Sequence, residues 1–366
     1  MSTSRVLWPR LAHKAARLTA VVVLATPPFW LNTATVGIRP SPSLSLVILP
    51  YRRFDCQPGS CTVPVMDDRK ISAILVRIPH LSGIDPHSMS WHPILGGQHN
   101  TVFKLETPRG KFVLRLGRRF PDYPDHYGEE IYNARLAAAA GLAPQILHFD
   151  PEDGTMLVPL IEGTTMDDTK FKDIEAVKRA ANTLRRLHAG PPFHSSFNVF
   201  HRIEKLEKEA NDAGDPAFVS WPDVRRAIVA LKDHIGSIEV PLAPCHNDPV
   251  PENYIDTGGR MILVDWQCSG QADPHWEVGA LSAQARFDET QDAALIETYF
   301  GRADHPGVER MNLYKAAVSY TWLLFNLARW QKDEDPAKRR RNAIHWLART
   351  ETHLAHEDTA RVLRKG

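Results

Sequence analysis

Cysteine is scarce in this chain of 366 residues. There are four, Cys56, Cys61, Cys245 and Cys268, and none falls in a C-x-x-C pair. That leaves no disulfide framework to read and makes small apolar packing the default for Cys245 and Cys268. Charge of one sign is missing too. Lys and Arg total 44 against 43 Asp and Glu, a net charge of +1, which gives no basic field for a nucleic-acid partner. Long apolar runs are absent; the run at 18–25 is cut by Pro27-Pro28 well short of a bilayer span, so no stable membrane insertion is expected. There is no G-x-S-x-G elbow for a hydrolase nucleophile and no internal repeat. The remaining composition, 43% hydrophobic and 24% charged, is near the norm of soluble globular proteins, and the chain is long enough to bury a sizeable core.

The informative residues lie near the start of the last third. The chain reads His246-Asn247-Asp248-Pro249-Val250-Pro251-Glu252-Asn253, and further on an apolar run Met261-Ile262-Leu263-Val264 ends in Asp265-Trp266-Gln267. These are the parts phosphoryl transfer needs: a carboxylate to take the proton of an attacking hydroxyl, and an amide plus a second carboxylate to hold Mg²⁺ on ATP. Pro249 and Pro251 stiffen the loop around Asp248, because each removes a backbone donor and biases its predecessor to extended geometry. Asn253-Tyr254-Ile255 is a short strand, Asp256-Thr257-Gly258-Gly259 a hairpin turn, and the hairpin folds Asp265 back beside Asn253. Two oxygen donors then meet at one point, which suits a hard cation.

H-N-D-x-x-x-x-N followed by D-W-x resembles the signature of the aminoglycoside phosphotransferase and choline kinase superfamily, and most closely its bacterial choline kinase branch. The resemblance implies an α+β, two-lobed protein-kinase-like fold with a small antiparallel-sheet N-lobe and a mainly helical C-lobe. It implies ATP and Mg²⁺ as cofactors and a small-molecule alcohol as substrate, choline or a related amino alcohol first. Ethanolamine, thiamine, an aminoglycoside or a neutral polyol are the alternatives. Asp248 would be the catalytic base, His246 would brace its loop, and Asn253 and Asp265 would be the Mg²⁺ ligands.

Such an enzyme needs a phosphate cradle upstream. Leu95-Gly96-Gly97-Gln98-His99-Asn100 precedes an alternating strand, Thr107-Pro108-Arg109-Gly110 is a turn, and Lys111-Phe112-Val113-Leu114-Arg115-Leu116 is a second strand. Gly96, Gly97 and Asn100 resemble the G-G-x-x-N loop of choline kinases, and Arg115 falls where that branch keeps a phosphate-side arginine. A helix is expected over 127–140, ending at Gly141. Its Glu130 and Asn133 match the family's E-x-x-N, which makes Glu130 the expected partner of Arg115; Glu129 is read as a solvated first-turn residue. Strands are expected over 142–149 and 155–161, a hinge over 157–162 and a helix over 174–188, where His188 is read as structural.

The substrate is expected on the helices after Asp265. Trp322 and Phe325, three residues apart, resemble the W-x-x-W with which choline kinases hold a quaternary ammonium through aromatic faces. Core filling is the alternative for both, and for Trp330. Gln267 replaces the Glu of the family's D-W-E, Glu277 replaces the Asp of its D-P-x-x-D, and Gln284 falls where choline kinases keep another acid. These three are the remaining substrate candidates. The run Lys338-Arg339-Arg340-Arg341 is read as the solvated border of a C-terminal helix.

Three segments are expected. Residues 1–65 form an extension, 66–162 an ATP-binding N-lobe that opens with a helix over 67–78, and 163–366 a catalytic and substrate-binding C-lobe. The extension carries Arg5, Arg10, Lys14 and Arg17 before its apolar run, so a targeting peptide is the alternative to a segment outside the functional domain. The need for ATP makes a cytoplasmic location the expectation. A catalytically inactive nucleotide-binding protein is the reading from another class, and the presence of Asp248, Asn253 and Asp265 together argues against it.

Overall fold

The structure, a computed structural model, describes residues 68–94, 101–117, 126–214, 221–331 and 335–364. Alternation of apolar and polar residues dictates its first sheet. In β2 (Thr101–Thr107) and β3 (Gly110–Leu116), Phe103, Leu105, Phe112, Leu114 and Leu116 share one buried face, as a period of two requires. The hairpin between them closes where Thr107 Oγ1 accepts from the Arg109 amide at 3.0 Å and Gly110 takes a φ of +132°. β1 (Ser90–Ile94) pairs with β2, β5 (Met156–Pro159) with β3, and β4 (His148–Phe149) with β5, all antiparallel. Of the strand expected over 142–149 only its last two residues are paired.

Helix α1 (Asp68–Leu75) covers the apolar face with Ile71 and Leu75, and Ile78 completes the same core from beyond the helix. The helix expected over 67–78 stops early because Ile78 precedes Pro79 and is held extended, with ψ of 110°. Arg115, of opposite parity to Leu114, points to the other face, where α2 (His126–Ala139) lies. α2 ends in a Schellman turn: Leu142 donates to Ala137 and Gly141 to Ala138, with Gly141 at a φ of +70°.

The remainder is helical: α3 (Ile174–His188), α4 (Val199–Asp212), α5 (Pro222–Gly236), α6 (Pro274–Gln284), α7 (Glu289–Phe300), α8 (Gly307–Arg329), α9 (Pro336–Ala355) and α10 (Glu357–Leu363). α3 buries Ala176, Val177, Ala180, Ala181, Leu184 and Leu187 at helical spacing and is capped by Asp173, which accepts from the Glu175 amide at 3.0 Å. α8 is buried nearly all round over Met311–Ala328 and is the pillar against which α4, α6 and α9 pack. This α+β arrangement, a small antiparallel sheet beside a mainly helical lobe, is the one expected from the sequence.

Two small sheets set the geometry between the lobes. β8 (Tyr254–Asp256) and β9 (Met261–Leu263) form the expected hairpin, with Tyr254 opposite Leu263, and β6 (Thr164–Thr165) joins β8. A Cβ on Gly163 would meet the Asp256 carbonyl oxygen at 2.7 Å, so only glycine lets the chain enter the helical lobe this close to β8. β7 (Ala243–Cys245) pairs with β10 (Gly270–Ala272), bringing the chain before His246 against the chain after Asp265. Cys245 and Cys268 remain free thiols there. Among the described residues no helix is long and apolar enough to cross a membrane.

Candidate active site

The loop carrying Asp248 is fixed from beneath. Asn247 adopts a left-handed φ of +64°, a conformation asparagine tolerates better than most residues. Its Nδ2 donates to the carbonyls of Cys268 at 3.1 Å, Gly270 at 3.3 Å and Cys245 at 3.4 Å, which locks that turn to both strands of the β7–β10 pair. His246 has no exposed surface, and its Nε2–H donates to the Val264 carbonyl at 2.9 Å, so the imidazole ties the loop to the residue just before Asp265. Asp248 itself is half-buried at the surface of this support. Burial pushes its carboxyl pKa up and the charge of Asp265 adds to that; His246, Arg202 and the hydrogen bond from Asn253 oppose. A carboxylate with a raised pKa is a better acceptor for a hydroxyl proton.

Asn253 and Asp265 converge as the hairpin requires. The Val264 amide donates to the Asn253 carbonyl at 3.0 Å, which sets Asp265 beside Asn253. Asn253 Nδ2 donates to the Asp248 carbonyl at 2.9 Å and to Asp248 Oδ2 at 3.3 Å, leaving its Oδ1 without a protein donor among the described residues. Asp265 is exposed, at a φ of +67°, and one of its oxygens accepts from Gln267 Nε2 at 2.6 Å. An open amide oxygen beside an exposed carboxylate, with nitrogen donors turned away, is a donor set suited to Mg²⁺. The left-handed backbone at Asp265, at a φ of +67°, is strained for a residue that is not glycine.

On the sheet side Arg115 and Glu130 are buried and form a two-point ion pair, Nη1 with Oε1 and Nη2 with Oε2 at 3.0 Å. Burial acts to lower the arginine pKa, but the Glu130 carboxylate more than offsets it and the charge of Asp265 adds to the rise. Asn133, fully buried, donates from Nδ2 to Ser269 Oγ at 3.0 Å and to Ser195 Oγ at 3.2 Å. One helix therefore holds both the arginine and the segment that follows Asp265-Trp266-Gln267. Arg115→Ala is expected to leave Glu130 buried and unpaired, costing about 3–5 kcal/mol of stability and raising KM for ATP. Arg115→Lys keeps the charge but not the two-point fork and is expected to fall between; melting temperature and KM for ATP check both. The remaining nucleotide-side candidates, Gly96, Gly97 and Asn100, lie outside the described residues, as does the 1–65 extension.

Glu277 differs from expectation. It is fully buried on the first turn of α6, and its carboxylate is saturated by the Asn247 amide at 2.7 Å, the His246 amide at 3.0 Å and His188 Nε2 at 2.8 Å. It has no surface for a substrate; it is the brace under the loop that carries Asp248. Burial would raise its pKa, but His188 and the other donors hold it below the usual glutamate range. His188 is part of the same chain, with Nδ1 2.6 Å from the Tyr299 hydroxyl. Nearby, Asp273 accepts from Arg310 and Tyr314 on α8 and from His275, which fixes the start of α6 against the pillar helix.

The expected cation cage is also altered. Trp322 and Phe325 are neighbours, with ring centroids 5.2 Å apart, but Trp322 is stacked on Trp346 at 6.0 Å, and the Arg329 guanidinium covers the Phe325 ring at 3.9 Å. The chain's own cation therefore lies over one face of the Phe325 ring. Gln284 is buried at the end of α6, seven residues beyond Glu277, or about 10 Å along the helix, and makes no side-chain hydrogen bond among the described residues. Gln267 is spent on Asp265. Arg339 and Arg340 of the basic run lie on aromatic rings, Arg339 5.6 Å from the centre of Phe325 and Arg340 4.2 Å from that of Trp330, rather than on a merely solvated border.

With this geometry, the class of protein is defined. The chain belongs to the phosphotransferase enzyme family, whose family profile matches residues 90–314. It is an enzyme of the small-molecule kinase type, and its fold is the protein-kinase-like fold of that family. It is similar to a choline/ethanolamine kinase family protein of Mesorhizobium loti, 33% identical over 81% of this chain and 99% of that one, with a TM-score of 0.70. Protein LicA of Haemophilus influenzae is 25% identical over 68% of this chain and 76% of its own length. A thiamine kinase of Salmonella dublin is 26% identical over 60% of this chain and 74% of its own.

Proposed function

We propose that this phosphotransferase uses Mg²⁺ and ATP to phosphorylate the hydroxyl of a small molecule, with Asp248 as the general base. The observation that carries the reading is the convergence of Asp248, Asn253 and Asp265 on one braced loop and hairpin, opposite the Arg115–Glu130 pair. Asp248 accepts the proton of the acceptor hydroxyl as its oxygen bonds to the γ-phosphorus, the bond from that phosphorus to the β–γ bridging oxygen breaks, and ADP leaves. Asn253 Oδ1 and the Asp265 carboxylate would hold the Mg²⁺, which when bound neutralises charge on the phosphates. Arg115, held by Glu130, and the segment with Gly96, Gly97 and Asn100 serve the phosphates. His246 and Glu277 keep Asp248 in place.

In this reading residues 66–162 are the nucleotide lobe and 163–366 the catalytic lobe, and ATP use fits a cytoplasmic enzyme. The relatives' names point to the amino alcohols choline and ethanolamine, with thiamine as the alternative, as acceptors. The covered Phe325 face and the neutral Gln267 take support away from choline in particular. The test is calorimetric titration of the protein with ATP, with and without Mg²⁺, and of an Asn253→Ala, Asp265→Ala double variant. Binding in the micromolar to millimolar range that weakens on chelation with EDTA and in the double variant is expected. No binding of Mg-ATP at millimolar concentration overturns the assignment.

A further inference from the structure

The turn that follows Asp265 is closed by Ser269, whose amide and hydroxyl both donate to the Trp266 carbonyl, at 3.0 and 2.6 Å. Gln267, inside that turn, donates from Nε2 to the Asp265 carboxylate at 2.6 Å, and the Trp266 indole donates to the Leu263 carbonyl at 3.2 Å. The candidate cation ligand is therefore part of one hydrogen-bonded unit, 265–269. Asn133 grips this unit from α2. It has no exposed surface, and its Nδ2 is 3.0 Å from Ser269 Oγ, 3.3 Å from the Ser269 carbonyl oxygen and 3.2 Å from Ser195 Oγ. An amide nitrogen has two hydrogens, so the three acceptors share them. Its Oδ1 has no hydrogen-bond partner among the described residues, so the donors alone tie the side chain in. Ser195 belongs to the segment 193–197 between α3 and α4. Its hydroxyl donates to the Ser269 carbonyl at 3.1 Å, and its carbonyl accepts from the Gln271 amide of β10 at 2.7 Å. Tyr132, one residue earlier on α2, stacks on His194 with ring centroids 3.8 Å apart.

Glu130 lies three residues before Asn133, on the same side of α2 and about 4.5 Å away along its axis. One end of this helical turn holds Arg115 in the two-point pair, and the other holds the unit that carries Asp265. A turn of helix, rather than side chains free to swing, thereby sets the separation between the arginine and the carboxylate. We infer that Asn133 is a positioning residue for the cation site: through Ser269 it keeps the Asp265 carboxylate in register with Arg115, so that the phosphates and the Mg²⁺ bound to them are met together. Groups behind a metal ligand fix its aim and so tune the affinity for the metal. The inference rests on the phosphotransferase reading and deepens it by assigning a residue that itself has no surface with which to touch nucleotide or acceptor.

The test uses the full chain, titrated calorimetrically with a non-hydrolysable ATP analogue, once with Mg²⁺ and once with EDTA. The ratio of the two affinities reads the cation site, and the value in EDTA reads the nucleotide contacts made without it. Asn133→Leu keeps the branched shape of the side chain and removes both donor hydrogens. It is expected to lower the ratio by about 10-fold, the lower end of what the outer partners of a metal ligand contribute, while the affinity in EDTA changes by less than about 2-fold. Ser269→Ala cuts the same link from the other end and is expected to lower the ratio too, so the test stands should Asn133→Leu fold poorly. A residue that only packs would lower the melting temperature and leave the ratio alone. An unchanged ratio in either folded variant, or equal weakening with and without Mg²⁺, overturns the inference while leaving the kinase reading standing. Wild-type protein that binds no analogue, or gains no affinity for it from Mg²⁺, overturns that reading and this inference with it.

Discussion

Asp248→Asn is expected to lower kcat for phosphoryl transfer by about 10²- to 10⁴-fold, the range that a positioned general base contributes, with little change in the affinity for Mg-ATP. The side chain is half-buried on a loop held by Asn247, His246 and Glu277. Asparagine preserves its shape, and the Asn253 amide still donates to the backbone carbonyl of residue 248 at 2.9 Å. What disappears is the negative oxygen that takes the proton, together with the mutual repulsion that raises the Asp248 pKa beside Asp265. A base acting only in the transition state should lower kcat and kcat/KM alike. If Asp248 served the cation instead, nucleotide affinity would fall with the rate. Steady-state kinetics in ATP and in acceptor, alongside a nucleotide titration, separate the two.

Glu277→Ala is expected to cost about 3–5 kcal/mol of stability, because it removes a fully buried carboxylate from its hydrogen-bonding partners, and to lower kcat as the loop loses its brace. Two backbone amides, those of His246 and Asn247, and His188 Nε2 would lose their acceptor in a region without water access. Glu277→Gln keeps the volume but must turn an amide nitrogen toward one of those donors, so it is expected to recover only part of the stability. KM for the acceptor should hardly move in either variant, whereas a substrate-binding acid would raise it. Thermal unfolding and the split between kcat and KM test this. The pH dependence carries the same signature. The folded pKa of Glu277 lies below its unfolded value. Its contribution is therefore present above the ordinary glutamate range and is lost as pH falls through the folded pKa. The acid limb of the stability profile should be flatter in Glu277→Gln.

Local signals made much of this legible in the sequence. The hairpin that joins Asn253 to Asp265 followed from one turn between two short apolar strands, and the pairing of Arg115 with Glu130 from the family resemblance of the arginine's place and of E-x-x-N on the next helix. α3 was readable from its apolar spacing because a single face of it is buried. The function of Glu277 was not legible, since a carboxylate on the first turn of a helix has the same local pattern whether it faces a ligand or a neighbouring loop. Only the fold brings the amides of residues 246 and 247 to it. Arg329 escaped notice for a related reason: its contact with Phe325 is an i, i+4 pair on α8, but its approach to Glu209 depends on how α4 packs against that helix. The aromatic residues at 322 and 325 were placed as neighbours, while the tryptophan and arginine that occupy their faces come from α9 and from the end of α8.

Phosphoryl transfer itself can be followed by ³¹P NMR, with ATP, Mg²⁺ and the best-binding acceptor mixed with the wild-type enzyme and with Asp248→Asn. The γ-phosphate resonance is expected to disappear in step with the growth of ADP and a new phosphomonoester, only when Mg²⁺ and acceptor are both present, and to persist with the variant. Release of orthophosphate alone, or ester formation at the wild-type rate by Asp248→Asn, would contradict the assignment of this loop as the catalytic centre.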